Sequence, residues 1–520
     1  MFKKNGKRQR WVRIRAPAGV TVYAILLFTV ISTLIFALIR SAIFSATMAR
    51  IDSACSLASE SAFAGYSNKV FDDYGIFVLK NTGAASARIN EVLNTNMSGS
   101  PAVLKNTYVT NQVFMTDNGG EAFYKEAVDY MQNESFSDYL SSLTGELSDS
   151  KAISGLENLG NISEAASSLS DENLSDEELN RRLSSLESEV DEALGESDVH
   201  GNFVSFIKDD LGKGKEVWDE MEQRKRDEGV TYVEPESDRG LLSGFRNIQR
   251  FLKGDLTGLV LGNSPVSGRT AVFPDGEKNE DITGSLHSGE GVASDVAFTE
   301  YLFLKFDSYT DINESDMRGA NPGYELEYIA GGKECDRDNL NYVMKRLALI
   351  RQGLNMLHIM SDAGKRGESD AMAALMLGWT LNPLIIKGGS YAIMAAWSYA
   401  EAVSDLKLLY SGKKVPIFKT AATWSLSLEK MLTGSLGPGE DKGNTGLDYE
   451  MYLRSLLELI PVSVKCGRAM DVIDMRMADA GDRDFRMKNC IFSQSLYVSF
   501  AMPYTFAPYE REYEYAYSVR

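Results

Sequence analysis

The sequence predicts an α+β, helix-rich fold in which one N-terminal transmembrane helix is followed by a large extracytoplasmic domain. Three observations carry this. The stretch from Ala16 to Ile39 has no charged side chain and is long enough to cross a bilayer as one helix. Ahead of it stand Lys3, Lys4, Lys7, Arg8, Arg10, Arg13 and Arg15, with no acidic residue among them. The second half of the 520-residue chain repeats apolar positions at three-four spacing, interrupted by short alternating runs.

The chain divides by composition into six parts. Residues 1–15 form a basic cytoplasmic leader and 16–40 the transmembrane helix. Residues 41–134 read as a stalk helix with a first α+β segment, 135–199 as an acidic Ser/Glu-rich insertion, and 200–323 as a loop-rich middle. Residues 324–520 read as a helical C-terminal core with terminal strands. The side chains expected against lipid are Val20, Tyr23, Leu26, Phe28, Ile31, Leu34, Phe36 and Ile39.

Charge orients this arrangement. The leader holds seven positive charges, so the remainder sits near −26 against −19 overall. Positive flanks stay in the cytoplasm, which places the acidic body outside the cell membrane. An acidic body also disfavours nucleic acid, whose phosphates need clustered Lys and Arg. A cleaved signal peptide requires a shorter apolar core and a small-residue cleavage site. Arg40 follows the core directly and SAIFSATMAR offers no good site, so an uncleaved signal anchor is expected. Cleavage nearer the front, as in pilin-type precursors, stays open.

Past the membrane, Ile43, Met48, Ile51, Cys55, Leu57, Ala62, Phe63 and Tyr66 keep helical spacing. The small residues of SACSLASESAFAG let either the chain's own domain or a partner backbone pack closely. Tyr74–Leu79 predicts a short buried strand, and Ala102–Leu104 with Tyr108–Met115 predicts two more. A turn at Asp117–Gly120 leads into a helix from Glu121 to Gln132. In the acidic insertion, Ser175-Asp176-Glu177-Glu178 is a capping box opening an amphipathic helix with Leu179, Leu183 and Leu186. The middle holds a helix near Gly240–Leu252, connections over Asp255–Gly291, and an apolar run Val296–Phe306 that periodicity leaves open between helix and strand.

In the second half, Tyr324–Ile329 alternates like a strand. Asp338 is placed as N-cap of a long helix bearing Leu340, Val343, Leu347, Ile350 and Leu354. Further helices are predicted over Ser369–Leu377, Gly389–Tyr410, Tyr449–Leu459 and Val464–Ala478. The uncharged span Ala371–Ile386 is too short to cross a bilayer and is broken by Gly378, Asn382 and Pro383, so two buried helices joined by a turn are expected. Cys490–Phe500 predicts a strand, and the tyrosine-rich tail an edge strand.

No motif demands catalysis, cofactor or metal. Cys55, Cys335, Cys466 and Cys490 form no C-x-x-C pair; either buried thiols or disulfides fit them. His200, His287 and His358 are far apart in sequence. Gly437-Pro438-Gly439 lacks the Lys-Ser/Thr of a phosphate loop, and Asp307, Asp311 and Asp316 lack the glycine of an EF-hand. Glu401 and Asp405 lie one helical turn apart. They fit a structural pair held by Arg351, Lys407 or Lys413, or, with His358, the acid–base centre of a membrane-tethered surface hydrolase.

Three blocks carry a family resemblance. The first is Thr21-Val22-Tyr23, then Arg40, Arg50, Ser61, Phe63, Ala64, Tyr66 and Tyr74-Gly75-Ile76-Phe77. The second runs through Glu327-Tyr328-Ile329, Gly332-Lys333, Arg351, Asn355, Trp397, Glu401, Asp405 and Gly412–Pro416. The third is Tyr452-Leu453-Arg454 with Arg468, Met470, Asp471 and Ile473. The chain resembles a domain-of-unknown-function family of single-pass envelope proteins of Gram-positive bacteria, akin to pilin-like components of tight-adherence (Flp-type) pilus systems. The resemblance implies a membrane-tethered, non-enzymatic component of a pilus-like or secretion assembly, with the lipid bilayer and other envelope proteins as partners. It implies no catalytic residue. Arg40, Arg50, Ser61, Phe63 and Tyr66 become the expected assembly contact. One departure bears on processing: such pilins carry Glu five residues past the cleavage-site Gly, whereas Ala24 stands five past Gly19.

Overall fold

Forty-six residues, Ala18–Phe63, form one unbroken helix, α1, about 69 Å long at 1.5 Å per residue. In this computed structural model the described residues are 18–133, part of 175–188, and most of 256–517, with the longest breaks at 280–291, 313–320 and 438–445. After α1 come α2 (Asn68–Tyr74), β1 (Leu79–Lys80), α3 (Gly83–Met97), β2 (Val103–Phe114) and α4 (Glu121–Asn133). Then follow α5 (Leu256–Leu261), α6 (Val292–Lys305), α7 (Glu325–Gly331), α8 (Asp336–Ser361), α9 (Ala363–Leu377) and α10 (Pro383–Tyr410). The chain closes with α11 (Leu428–Leu432), α12 (Tyr449–Glu458), α13 (Val462–Asp479), β3 (Cys490–Ala501) and β4 (Tyr509–Ala516). The fold is α+β and helix-rich, as the sequence predicts.

The antiparallel sheet is built on β3, which pairs with β2 along one edge and with β4, then the short β1, along the other. Leu496, Val498 and Phe500 alternate along β3 and turn one sheet face apolar. Onto that face packs the outer half of α1 through Ile51, Ala54, Cys55, Ala58 and Ala62, with α3 beside it through Ile89, Leu93 and Met97. The small residues of α1 therefore serve close packing on the chain's own sheet. Asp52 accepts from the hydroxyls of Tyr509 (3.4 Å) and Tyr513, whereas Phe63 meets Tyr515 and Tyr517, so α1 climbs the sheet toward the Cys490 end of β3.

Beyond that end lies a second core, formed by α4, α6, α7, α12, α13, the first half of α8 and the later part of α10. A third core joins the later half of α8, from Ile350, to α9, α11 and the first half of α10. Both α8 and α10 thus span the two outer cores. The sequence-predicted hairpin is present: α9 ends at Leu377 and α10 begins at Pro383.

Several boundaries differ, each for a local reason. Tyr324–Ile329 is not a strand; Glu325–Gly331 is helix, closed by Gly332 at φ +62°. Its glutamates are buried and bonded, so the alternation of polar and apolar residues does not mark two faces of a strand. Tyr74–Leu79 is mostly not a strand either. Gly75 ends α2 at φ +72°, close against the Tyr130 ring, and only Leu79–Lys80 reach β3. The two strands expected before Met115 are one, with register shifts after Leu104 and at Asn111 (φ +46°). Asp338 is not the N-cap of α8, which starts at Asp336. The Asp336 carboxylate instead accepts from Ser267 Oγ and from the Gly323 and Tyr324 amides, at 3.0 and 3.3 Å.

Other helices begin earlier than predicted because caps were passed over. Asp362 caps α9 at the amides of Gly364 and Lys365, and Asn382 caps α10 at that of Leu384, with Pro383 in the first turn. Val296–Phe306 falls largely in helix α6, and the connections after Asp255 include α5. In the acidic insertion the Glu178 amide donates to Ser175 Oγ at 3.3 Å, the expected cap. Described residues between Glu177 and Ser188 are helical, with Glu178 paired to Arg181 and Arg182; most of the remaining insertion, and the helix expected near Gly240–Leu252, lie outside the described residues.

Candidate functional site

The first feature is the free half of α1. Val20, Tyr23, Leu26, Phe28, Ile31, Leu34, Phe36 and Ile39 are all exposed, although they are large and apolar. One helix among the described residues is long and apolar enough to cross a membrane, and this is it. Its hydroxyls turn inward: Thr29 Oγ1 donates to the carbonyls of Ile25 and Leu26, at 3.0 and 2.8 Å, and Thr33 Oγ1 to that of Val30 at 2.9 Å. A helix that satisfies its backbone within itself and exposes a mainly apolar surface suits lipid. Arg40 closes the run, its guanidinium 5.8 Å from the Phe36 ring centre.

The expected contact residues stand just above. Arg50 donates to the carbonyls of Asn96 and Ser98, at 2.9 and 2.8 Å, and so caps the end of α3. Ser61 accepts from Arg88 Nε at 3.0 Å. Phe63 is 1% exposed, its ring 4.7 Å from Tyr515 and 4.9 Å from Tyr517. Tyr66 packs edge-on against Phe71 and Phe77. Two surface cavities, of about 340 and 480 Å³, flank the Ser61–Arg88 pair between α1 and α3.

A second cluster gathers most of the middle resemblance block. Arg351, fully buried, donates from Nε (3.0 Å) and Nη2 (2.7 Å) to Asp405 Oδ2. Its Nη1 reaches the Pro416 and Ile417 carbonyls and the Tyr452 hydroxyl. Burial lowers the guanidinium pKa, but Asp405 and then Tyr452 outweigh it and hold it above the usual value. Asn355 donates to the same Asp405 oxygen at 3.3 Å. Glu401 takes Lys419 Nζ (2.8 Å) and both the amide and hydroxyl of Ser425 on Oε1, and the Leu426 amide on Oε2. The loop over 411–426 is thereby fastened to α8 and α10.

Those contacts answer the hydrolase reading. Glu401 and Asp405 are 0% exposed and committed to Lys419 and Arg351. His358 lies nearby, half-buried against Trp424, where burial and then the Lys365 ammonium push its imidazole pKa down. The partner that sequence reasoning missed is Lys419, which sits in a loop without periodicity; nothing in its neighbours distinguishes it from a surface lysine.

A third cluster joins α7 to α13 through the other resemblance residues. Tyr328 donates to Asp471 at 2.9 Å, and Arg468 Nη1 to the Ile329 and Ala330 carbonyls at 3.0 and 2.8 Å. Tyr449 donates to Glu327 at 2.5 Å, and Arg476 pairs with Glu325 and Asp307. Burial pushes Glu325 and Glu327 up to about 7, only partly opposed by Arg476 and Tyr449. Among the described residues no group of three His, Cys, Asp or Glu is arranged for a metal ion. The four cysteines are unbridged, three of them buried.

The model of a family of unknown function, DUF5702, matches residues 235–502, just over half of the chain. The chain belongs to this family. The DUF5702 region takes in the second and third clusters, α5 to α13 and β3, but neither α1 nor β4. No curated protein and no solved structure matches the chain. The DUF5702 match thus supports the unknown-function family expected from the middle and last resemblance blocks and assigns it no activity.

Proposed function

We propose that this DUF5702 protein is a single-pass, envelope-anchored structural component that organises or docks with a pilus-like or secretion assembly of a Gram-positive bacterium, without enzymatic activity. One observation carries the reading: α1 leaves about 20 apolar residues bare and then continues, unbroken, into the packed domain. A rigid rod of this kind fixes the body relative to the bilayer. The basic leader keeps the N-terminus in the cytoplasm and the acidic body outside. The pilus link is supported by the resemblance of the Thr21–Phe77 block to pilin-like components. Of the expected contact residues, Ser61 and Tyr66 line the cavities between α1 and α3 and Arg40 stands at the end of the bare segment, so these three are the contact with partner helices in this reading, whereas Arg50 and Phe63 are engaged within the chain's own fold.

Deleting residues 1–40 is expected to release a soluble acidic protein, and a truncated product that still sediments with membranes overturns the single anchor. Protease added to intact, wall-stripped cells should digest the body; protection of the body overturns the orientation. Photocrosslinkers at Arg40 and Leu57 should capture envelope proteins, and capture of none overturns the assembly role.

A further inference from the structure

Lys419 Nζ is ion-paired to two carboxylates at once, 2.6 Å from Asp405 Oδ1 and 2.8 Å from Glu401 Oε1. The ammonium also donates to the Thr423 carbonyl at 3.2 Å. The other Asp405 oxygen, Oδ2, is gripped by three donors: Arg351 Nε and Nη2, and Asn355 Nδ2. Lys419, Asp405 and Glu401 are all buried. An amine, a polarised carboxyl and a proton carrier are thus held together out of water. Holding an amine against a carboxyl, with donors on the oxygen where charge would develop, lowers the barrier to their condensation.

We propose that Lys419 and Asp405 condense after folding into an intramolecular isopeptide bond, with Glu401 carrying the protons. Glu401 takes a proton from Nζ and delivers it to Oδ1, leaving a neutral amine beside a protonated carboxyl. Nζ then attacks Asp405 Cγ, and the negative charge that develops on Oδ2 falls on the Arg351 and Asn355 donors. Glu401 moves a second proton from Nζ to Oδ1, the Cγ–Oδ1 bond breaks, and water leaves. One ammonium and one carboxylate become one amide and one water, with no change in net charge and no oxidant or reductant. Afterwards Oδ2 is an amide carbonyl still held by Arg351, and Glu401 accepts from the new amide N–H. The bond ties the loop before α11 to α10 covalently, a brace that serves any component bearing load. The inference does not depend on the pilus reading.

The test is the mass of the full chain purified in detergent. The intact protein should weigh less than its sequence by one water, about 18 Da, and a peptide map should contain a branched peptide joining Asp405 to Lys419. Glu401→Gln and Lys419→Arg should each restore the full mass, with the circular dichroism spectrum checking that they fold. A wild-type protein at full mass, with Asp405 and Lys419 in separate linear peptides, overturns the proposal, as does a water loss that maps elsewhere. If either variant fails to fold, the wild-type map decides alone. A branched peptide that survives in folded Glu401→Gln overturns the role given to Glu401.

Discussion

Replacing Phe63 by Ala separates a fold role from an assembly role at the junction of anchor and body. The ring is 1% exposed and wedged between Tyr515 and Tyr517, while the Phe63 carbonyl accepts the Tyr517 hydroxyl at 2.7 Å. Truncating a core phenylalanine costs about 3–5 kcal/mol through lost transfer energy and the cavity left behind. Each aromatic pair adds roughly 0.5–1.5 kcal/mol. We therefore expect a loss near 4 kcal/mol, a large part of a domain's typical stability of roughly 5–15 kcal/mol. The loss should begin locally, because Tyr515 and Tyr517 tie β4 and the chain just after it to the top of α1. The assay is a thermal melt of the full chain in detergent, with limited proteolysis followed by C-terminal mass spectrometry. Cleavage between β3 and β4 should accelerate well before the helical cores melt. An unchanged melt and an unchanged tail, together with lost crosslinks to envelope partners, would refute the reasoning and make Phe63 a contact residue only.

Burial pushes Glu126, Glu325, Glu327 and Asp474 up to about 7 each. Between the ordinary carboxylate range and that value the folded chain holds protons that the unfolded chain has released, so stability falls as pH rises through about 4.5–7 and levels off above. The melting temperature should accordingly drop from pH 5 to pH 8, and Glu327→Gln should flatten the slope; a melting temperature that rises over this range contradicts the sign. Arg476→Leu leaves Glu325, 2% exposed, without its cation. Allowing for the partial exposure of Arg476, the cost at pH 8 should be about 2–3 kcal/mol and smaller at pH 5, read from melts at both values. Gly75→Ala places a methyl group about 2.2 Å from the Tyr130 ring at φ +72°, and chemical denaturation should show a loss above about 1 kcal/mol. Stability equal to the wild type would mean that α2 does not end as described.

Local chemistry was legible wherever one signal sufficed. Ala16 to Ile39 announces a membrane helix because no charge interrupts it. The three-four spacing of Leu340, Val343 and Leu347 announces α8, Gly378-Asn382-Pro383 breaks the hairpin, and the alternation of Leu496, Val498 and Phe500 announces β3. These features depend on backbone period and side-chain polarity, which neighbours in sequence already express. The alternation over Tyr324–Ile329 misled for the converse reason: its glutamates face Arg476, Tyr449 and backbone amides far away in sequence, so polarity there does not mean solvent. Glu401 and Asp405 were visible as a helical pair, but their partner Lys419 is a loop residue whose meaning comes from burial alone.

By itself, the sequence determined that the chain has one lipid-compatible helix, a basic front, an acidic body and a helix-rich domain with a few strands, because each follows from composition or period over a short window. Only the tertiary structure decided that α1 lies against the chain's own sheet, that Arg50 and Phe63 are engaged within it, and that Lys419 meets Asp405 and Glu401 out of water. Those outcomes require segments separated by anything from a loop to most of the chain to close on one another, and the free energy that selects them is shared among contacts that no single window contains.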